Sequence, residues 1–196
     1  MADGLGQAVP RQAADVKSLQ GRETMAGKSV IVYYSWVGNT AAVAKEIQAQ
    51  TGFDLQAIEE RKERSQAGIG GAAMAGFFGL KSRIKPMDFA LPEVDRILLG
   101  AQVWATRTSS PINSYLKKTS FKGKKVWLFI THADENVPQK IIDSITARIA
   151  KKGGTVVDCI SFTTKMDTVI PLENFQGELQ RWLAKNGMLP STESGI

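Results

Sequence analysis

Tyr34-Ser35-Trp36-Val37-Gly38-Asn39-Thr40 follows an apolar run over residues 29–34 and precedes a segment in which Val43, Ala44 and Ile47 fall on one helical face. A strand, a short polar loop and a helix are therefore predicted in succession. The first amides of a helix have no partner within it and the helix dipole is positive there, so this loop predicts an anion cradle. Hydroxyls from Ser35 and Thr40, with the open backbone of Gly38, suit a phosphate. The loop holds no lysine or arginine and lacks the Gly-Lys-Ser/Thr ending of a P-loop. It predicts a fixed mononucleotide rather than a triphosphate undergoing transfer, which usually recruits Lys and Mg²⁺.

Outward from this loop, apolar strand-like runs alternate with helical segments. Residues 29–34, 95–100, 125–131 and 155–162 are rich in Val, Ile, Leu, Phe and Trp, as strands buried on both faces should be. Residues 54–59 mix Asp54, Gln56 and Glu59 with Leu55, Ala57 and Ile58, which suits an edge strand. Ile141, Ile142, Ile145 and Ile149 mark a later helix, and Leu172, Phe175, Leu179, Trp182 and Leu183 the last one. Gly52 and Gly153 stand where helices end, and Pro111 where one starts. The pattern predicts an α/β fold, a three-layer α/β/α sandwich around a five-stranded parallel sheet.

The chain has 196 residues, 43% of them apolar and 22% charged, which fits one globular domain with a tail. Residues 1–24 are polar and small and predict a disordered arm, residues 25–189 the domain, and residues 190–196 a flexible tail. Met25 also offers a translation start, which would make the arm dispensable. Residues 61–92 hold a charged run and a glycine-rich stretch, with a short helix expected over residues 72–80 inside a long crossover. Gly68-Ile69-Gly70-Gly71-Ala72-Ala73 formally fits a dinucleotide fingerprint, but a charged run precedes it instead of a strand. One cysteine, Cys159, and one histidine, His132, exclude an intrachain disulfide and the usual Cys/His zinc site. No apolar stretch reaches membrane-spanning length and no secretory h-region opens the chain, so a cytoplasmic setting is expected.

Two further loops extend the resemblance to a known family. The first loop, through Ser35, Gly38, Asn39 and Thr40, resembles the flavodoxin pattern Ser/Thr-x-Thr-Gly-x-Thr, which wraps the phosphate of FMN. Gly100-Ala101-Gln102-Val103-Trp104, followed by Pro111, resembles the family's second flavin loop, Gly-x-Pro-Val-Trp/Tyr. The resemblance runs from Lys28 to about Lys185 and implies strand order 2-1-3-4-5, with the ligand at the carboxyl ends of strands one and three. The loop Thr131-His132-Ala133-Asp134-Glu135-Asn136 would be the third wall. Val37 stands in place of a family threonine, Gln102 in place of the usual proline, and the third loop lacks the family's glycines.

On this resemblance FMN is the expected cofactor. Its phosphate is assigned to Ser35, Gly38, Asn39 and Thr40, with Trp36 and Val37 completing the loop. Val103, Trp104, Thr131 and His132 are assigned to the ring, flanked by Gln102, Ala105 and Asp134. His132 is expected to be a solvated loop residue. Asp134 and Glu135 would lower the flavin potential by like-charge repulsion, or else cap the helix starting near Pro138. The expected function is electron transfer between a reductase and a redox partner. An NAD(P)H-dependent quinone reductase and a flavin-free binding module are the alternatives. A receiver domain is disfavoured, because Tyr33-Tyr34-Ser35 ends strand one where paired acids would hold Mg²⁺. The net charge of +6 suits an acidic partner, through Arg61, Lys62, Arg64, Lys81, Arg83, Lys85 and Arg107 at the flavin end. Lys117, Lys118, Lys122, Lys124 and Lys125 are expected to form a solvated rim at the opposite end. Nucleic-acid binding lacks a reading motif, and a homodimer remains open.

Overall fold

The computed structural model describes residues 27–62, 82–104, 107–134, 136, 138–165 and 167–190. Strand β1 (Lys28–Tyr33) leads to helix α1 (Asn39–Thr51) and strand β2 (Asp54–Ala57). After a long crossover come β3 (Val94–Trp104), β4 (Arg107–Thr108) and α2 (Ser110–Lys118). Then follow β5 (Lys125–His132), α3 (Gln139–Ala150), β6 (Thr155–Thr163), a 3-10 turn (Leu172–Asn174) and α4 (Gln176–Lys185). The expected arm, the expected helix over residues 72–80 and all of the expected tail but Pro190 lie outside the described residues.

Along each strand alternate residues face opposite sides, and each side finds its own pair of helices. Ile31, Leu98 and Phe129 pack against Val43 and Ile47 of α1 and Leu179 and Leu183 of α4. Val30, Val32, Leu99 and Ile130 pack against Ile112 and Leu116 of α2 and Ile141 and Ile145 of α3. The result is a three-layer α/β/α sandwich. The parallel order is β2-β1-β3-β5-β6, which is the expected 2-1-3-4-5 when β4 is set aside. Gly52, with φ 70°, ends α1 by donating its N–H to the Gln48 carbonyl at 2.8 Å, as the sequence predicted. Among the described residues no helix is long and apolar enough to cross a membrane.

Four expectations need correction. Strand β3 does not stop at Gly100. It runs on to Trp104 and turns back as β4, pairing Val103 with Thr108 and Trp104 with Arg107. The expected second loop is thus a hairpin built on the end of a strand. Strand β6 is not enclosed on both faces; it is the second sheet edge, and Val157 is 47% exposed. His132 is no solvated loop residue, because it closes β5 at 3% exposure.

Lys124 is the fourth. Far from a solvated rim, it is 8% exposed. Its Nζ donates to the carbonyls of Leu91 (2.6 Å) and Val94 (2.8 Å). Those carbonyls belong to the turn that launches β3, where Leu91 adopts φ 47°, a left-handed conformation unusual for a branched side chain. The lysine holds that turn in place. Lys124→Met keeps the stem and removes both bonds, leaving the Leu91 carbonyl with only the Val94 N–H at 3.1 Å. We expect a loss of about 2 kcal/mol, read as a lower urea midpoint at unchanged slope. An unchanged midpoint would show that water takes over the lysine's task.

Candidate functional site

Residues 34–38 carry the chain from β1 into α1. At Gly38, φ is 114°, and a Cβ there would lie 2.9 Å from a Val169 methyl group, so only glycine fits without strain. The Gly38 carbonyl accepts the Ala42 N–H at 2.8 Å and opens the helix. The Gly38 N–H donates to the Ser35 hydroxyl at 3.1 Å. The Trp36 N–H donates to Oε1 of Gln102 at 3.0 Å, while its side chain is half-buried and packs on the core. Gln102 therefore ties β3 to the first loop.

Among the described residues, the amides of Val37, Asn39, Thr40 and Ala41 have no acceptor. Asn39 and Thr40 are only 2% and 0% exposed. Buried amides are almost always paired, so orphaned donors at a positive helix end fit an anion. The cradle is one of backbone groups.

The side chains of these two residues do other work. Asn39 is clamped by the segment after β6, its Nδ2 donating to the Lys165 carbonyl at 2.9 Å and its Oδ1 accepting the Ile170 N–H at 2.7 Å. The Thr40 hydroxyl lies 2.7 Å from that of Thr131, which is itself 0% exposed. Thr131 thus braces the start of α1 from beneath. Nothing in the sequence distinguished the 165–170 segment as part of this site.

His132 Nδ1 lies 2.9 Å from the Asp134 carbonyl, and its own carbonyl accepts the Thr164 N–H at 2.7 Å. Asp134 is exposed, and among the described residues no side chain caps α3, so Asp134 does not take up the capping role. Gln102 and Val103 reach the same end of the sheet on β3, and Trp104 closes that strand opposite Arg107. Ala105 and Glu135 lie outside the described residues.

The crossover returns to the first loop through a bridge between Glu60 and Ile84. Trp36, Gly38, Ala57, Glu60 and Lys85 border a cavity of about 430 Å³ there. The Tyr34 hydroxyl donates to Glu60 at 2.9 Å, and Lys85 pairs with Glu59. Of the basic residues assigned to this end, Arg61 and Arg83 are joined by the Arg61 N–H and the Arg83 carbonyl at 2.8 Å. Arg64 and Lys81 lie outside the described residues.

Among solved structures, a protein of Bacteroides uniformis superposes with a TM-score of 0.67 at 17% identity, over 81% of this chain and 98% of that one. A flavoprotein of Lactobacillus acidophilus, solved in complex with FMN, gives 0.58 at 20% identity over 80% and 99%. Flavodoxin 1 of Bacillus cereus, in its oxidised state, gives 0.51 at 18% identity over 83% and 99%. The fold is that of the flavodoxins. No family model matches the chain, and no curated protein sequence does. The order β2-β1-β3-β5-β6 puts the switch point, where the strand order reverses, between the parallel strands β1 and β3, whose connections lead to α1 on one face and α2 on the other.

Proposed function

We propose that this chain is an FMN-binding electron-transfer protein. The observation that carries the reading is the set of orphaned amides at the start of α1, two of them on buried residues, at the switch point of a flavodoxin-like sheet. A phosphate would satisfy the Val37, Asn39, Thr40 and Ala41 amides together, with the Ser35 hydroxyl beside them. The Lactobacillus acidophilus flavoprotein of the same fold holds FMN, which supports the same ligand here. When bound, FMN supplies the electron-accepting ring. The chain's residues bind and orient it. Gln102 fixes the first loop relative to β3, while Val103, Trp104 and His132 are assigned to the ring, flanked by Asp134; Thr131, expected beside them, is fully buried and bonded to Thr40 instead.

The test is the visible absorption spectrum of purified protein, repeated after adding FMN and, separately, FAD. A flavin spectrum that persists through gel filtration is expected with FMN. Its absence with excess FMN would sink the reading and leave a flavin-free module. Dependence on a separate reductase is expected for a carrier, whereas sustained NAD(P)H oxidation by the isolated protein with quinone would make it an enzyme. The basic residues Arg61, Lys62, Arg83 and Lys85, which flank the Glu60–Ile84 bridge, suit an acidic partner, whose association rate should fall as salt rises.

The Asn39 clamp yields a sharper expectation. Asn39→Ala removes both bonds to the 165–170 segment but keeps the residue's amide. Freed from the clamp, the first turn of α1 must be ordered by the ligand, so FMN affinity should fall about tenfold, equivalent to one or two hydrogen bonds. Flavin fluorescence titration measures it. Unchanged affinity would mean that the clamp and the cradle are independent.

A further inference from the structure

On the other side of the β3–β4 hairpin, Arg107, Thr108, Asn113, Lys140, Ser144 and Arg148 line a second cavity, of about 360 Å³. It shares no residue with the first loop. Lys140, Ser144 and Arg148 follow one another at four-residue spacing on one face of α3. Thr108 ends β4, and Asn113 stands in the first turns of α2.

The position of Arg148 is the informative one. Its guanidinium is half-buried, and burial draws its pKa down from the usual arginine value. Nη1 donates to Oδ1 of Asn113, and Nη2 to the Asn113 carbonyl at 3.1 Å. Asn113 is itself buried and held by its Nδ2 bond to the Thr108 carbonyl at 3.0 Å. The fork is therefore fixed in orientation by neutral groups alone. Among the described residues no carboxylate pairs with Arg148, and none lines the cavity. A partly buried cation without a counter-charge is costly, and the cost falls when an anion enters.

We propose that this cavity binds a phosphate group, as a phosphomonoester or as the free ion. Asn113 takes one N–H from each terminal nitrogen of Arg148, and the three N–H groups left on the guanidinium are donors for phosphate oxygens. Lys140 adds a second positive charge, and the Ser144 and Thr108 hydroxyls add neutral donors around the same space. The cavity exceeds the volume of one phosphate ion and lies in the range of small-ligand pockets, which leaves room for the group that an ester carries.

The experiment is a titration of the full chain with inorganic phosphate and with ribose 5-phosphate, at ionic strength held constant with chloride, followed by backbone amide NMR. Saturable shifts at residues 107–108 and 140–148 are expected. Ser144→Glu places a carboxylate in the cavity and should weaken these shifts at least tenfold, while any response at residues 37–41 persists. Lys140→Gln, at an exposed position, should weaken binding several-fold. Tighter binding of the ester would identify an ester site, and equal binding a free-phosphate site; both uphold the proposal. It is overturned if neither ligand shifts residues 107–108 and 140–148, or if Ser144→Glu binds as well as the parent. Should Ser144→Glu fail to fold, unchanged affinity in Lys140→Gln overturns it.

Discussion

Gly100→Ala should cost about 3 kcal/mol of stability, the upper part of the range for overpacking a well-filled core. Gly100 sits mid-strand in β3, paired with Tyr33 on one side and Phe129 on the other. A Cβ added there would lie 2.3 Å from Cζ of Phe129 and 2.8 Å from Cβ of Tyr33. Neither neighbour can step aside cheaply. Phe129 is fully buried between α1 and α4, and the Tyr33 Cβ is fixed by the backbone of β1. In urea the midpoint should drop by about 1.5 M, given a slope of about 2 kcal/mol per molar. Phe129→Leu in the same chain should recover part of the loss, since it removes the clashing ring atoms, and a double-mutant cycle would report that coupling. A parent-like midpoint for Gly100→Ala would refute the close approach. The glycine of this flavodoxin-like second loop is here a packing residue.

Cys159 should be nearly inert to thiol reagents in the folded chain. Burial pushes its thiol up to about 12, and the neighbouring Asp158 carboxylate adds to the shift. Only the thiolate attacks, so at about pH 8 alkylation by iodoacetamide should run roughly a thousand-fold slower than in unfolded chain. The pH dependence carries the sign. With the thiol proton held more tightly when folded, the native rate should keep rising through about pH 12, instead of levelling off near the unfolded value. By linkage, this residue's contribution to stability is complete below the unfolded pKa and is lost as pH rises toward about 12. Native labelling as fast as in denaturant would show an exposed thiolate.

How much of this was legible follows from the kind of signal each residue carries. The parallel strands were visible because runs such as Val30-Ile31-Val32 and Leu128-Phe129-Ile130 have no soluble reading other than burial. The weak run at residues 54–59 was visible as an edge for the opposite reason, its polar residues, although β2 itself stops at Ala57. Hairpin β3–β4 was hidden, since Gln102-Val103-Trp104 alternates too briefly to tell a strand end from a loop. Lysines are almost always solvated, so Lys124 could be found only once the turn it holds was known. Side-chain roles at the candidate site were the least legible. Residue type placed Thr40 on a phosphate and the flavodoxin resemblance added Asn39, but the long-range partners Lys165, Ile170 and Thr131 claim their side chains.

The Asn39 clamp also sets a schedule. Its two partners stand 126 and 131 residues further along the chain. During synthesis β1 and α1 emerge before β6, yet the clamp between them and the segment after β6 cannot close until that segment has followed. Contacts of such sequence separation form late, because a long loop must close before they reward the chain. The start of α1 is thus made long before the partners that finish it, and a chain broken off ahead of residue 165 would carry the helix without its clamp.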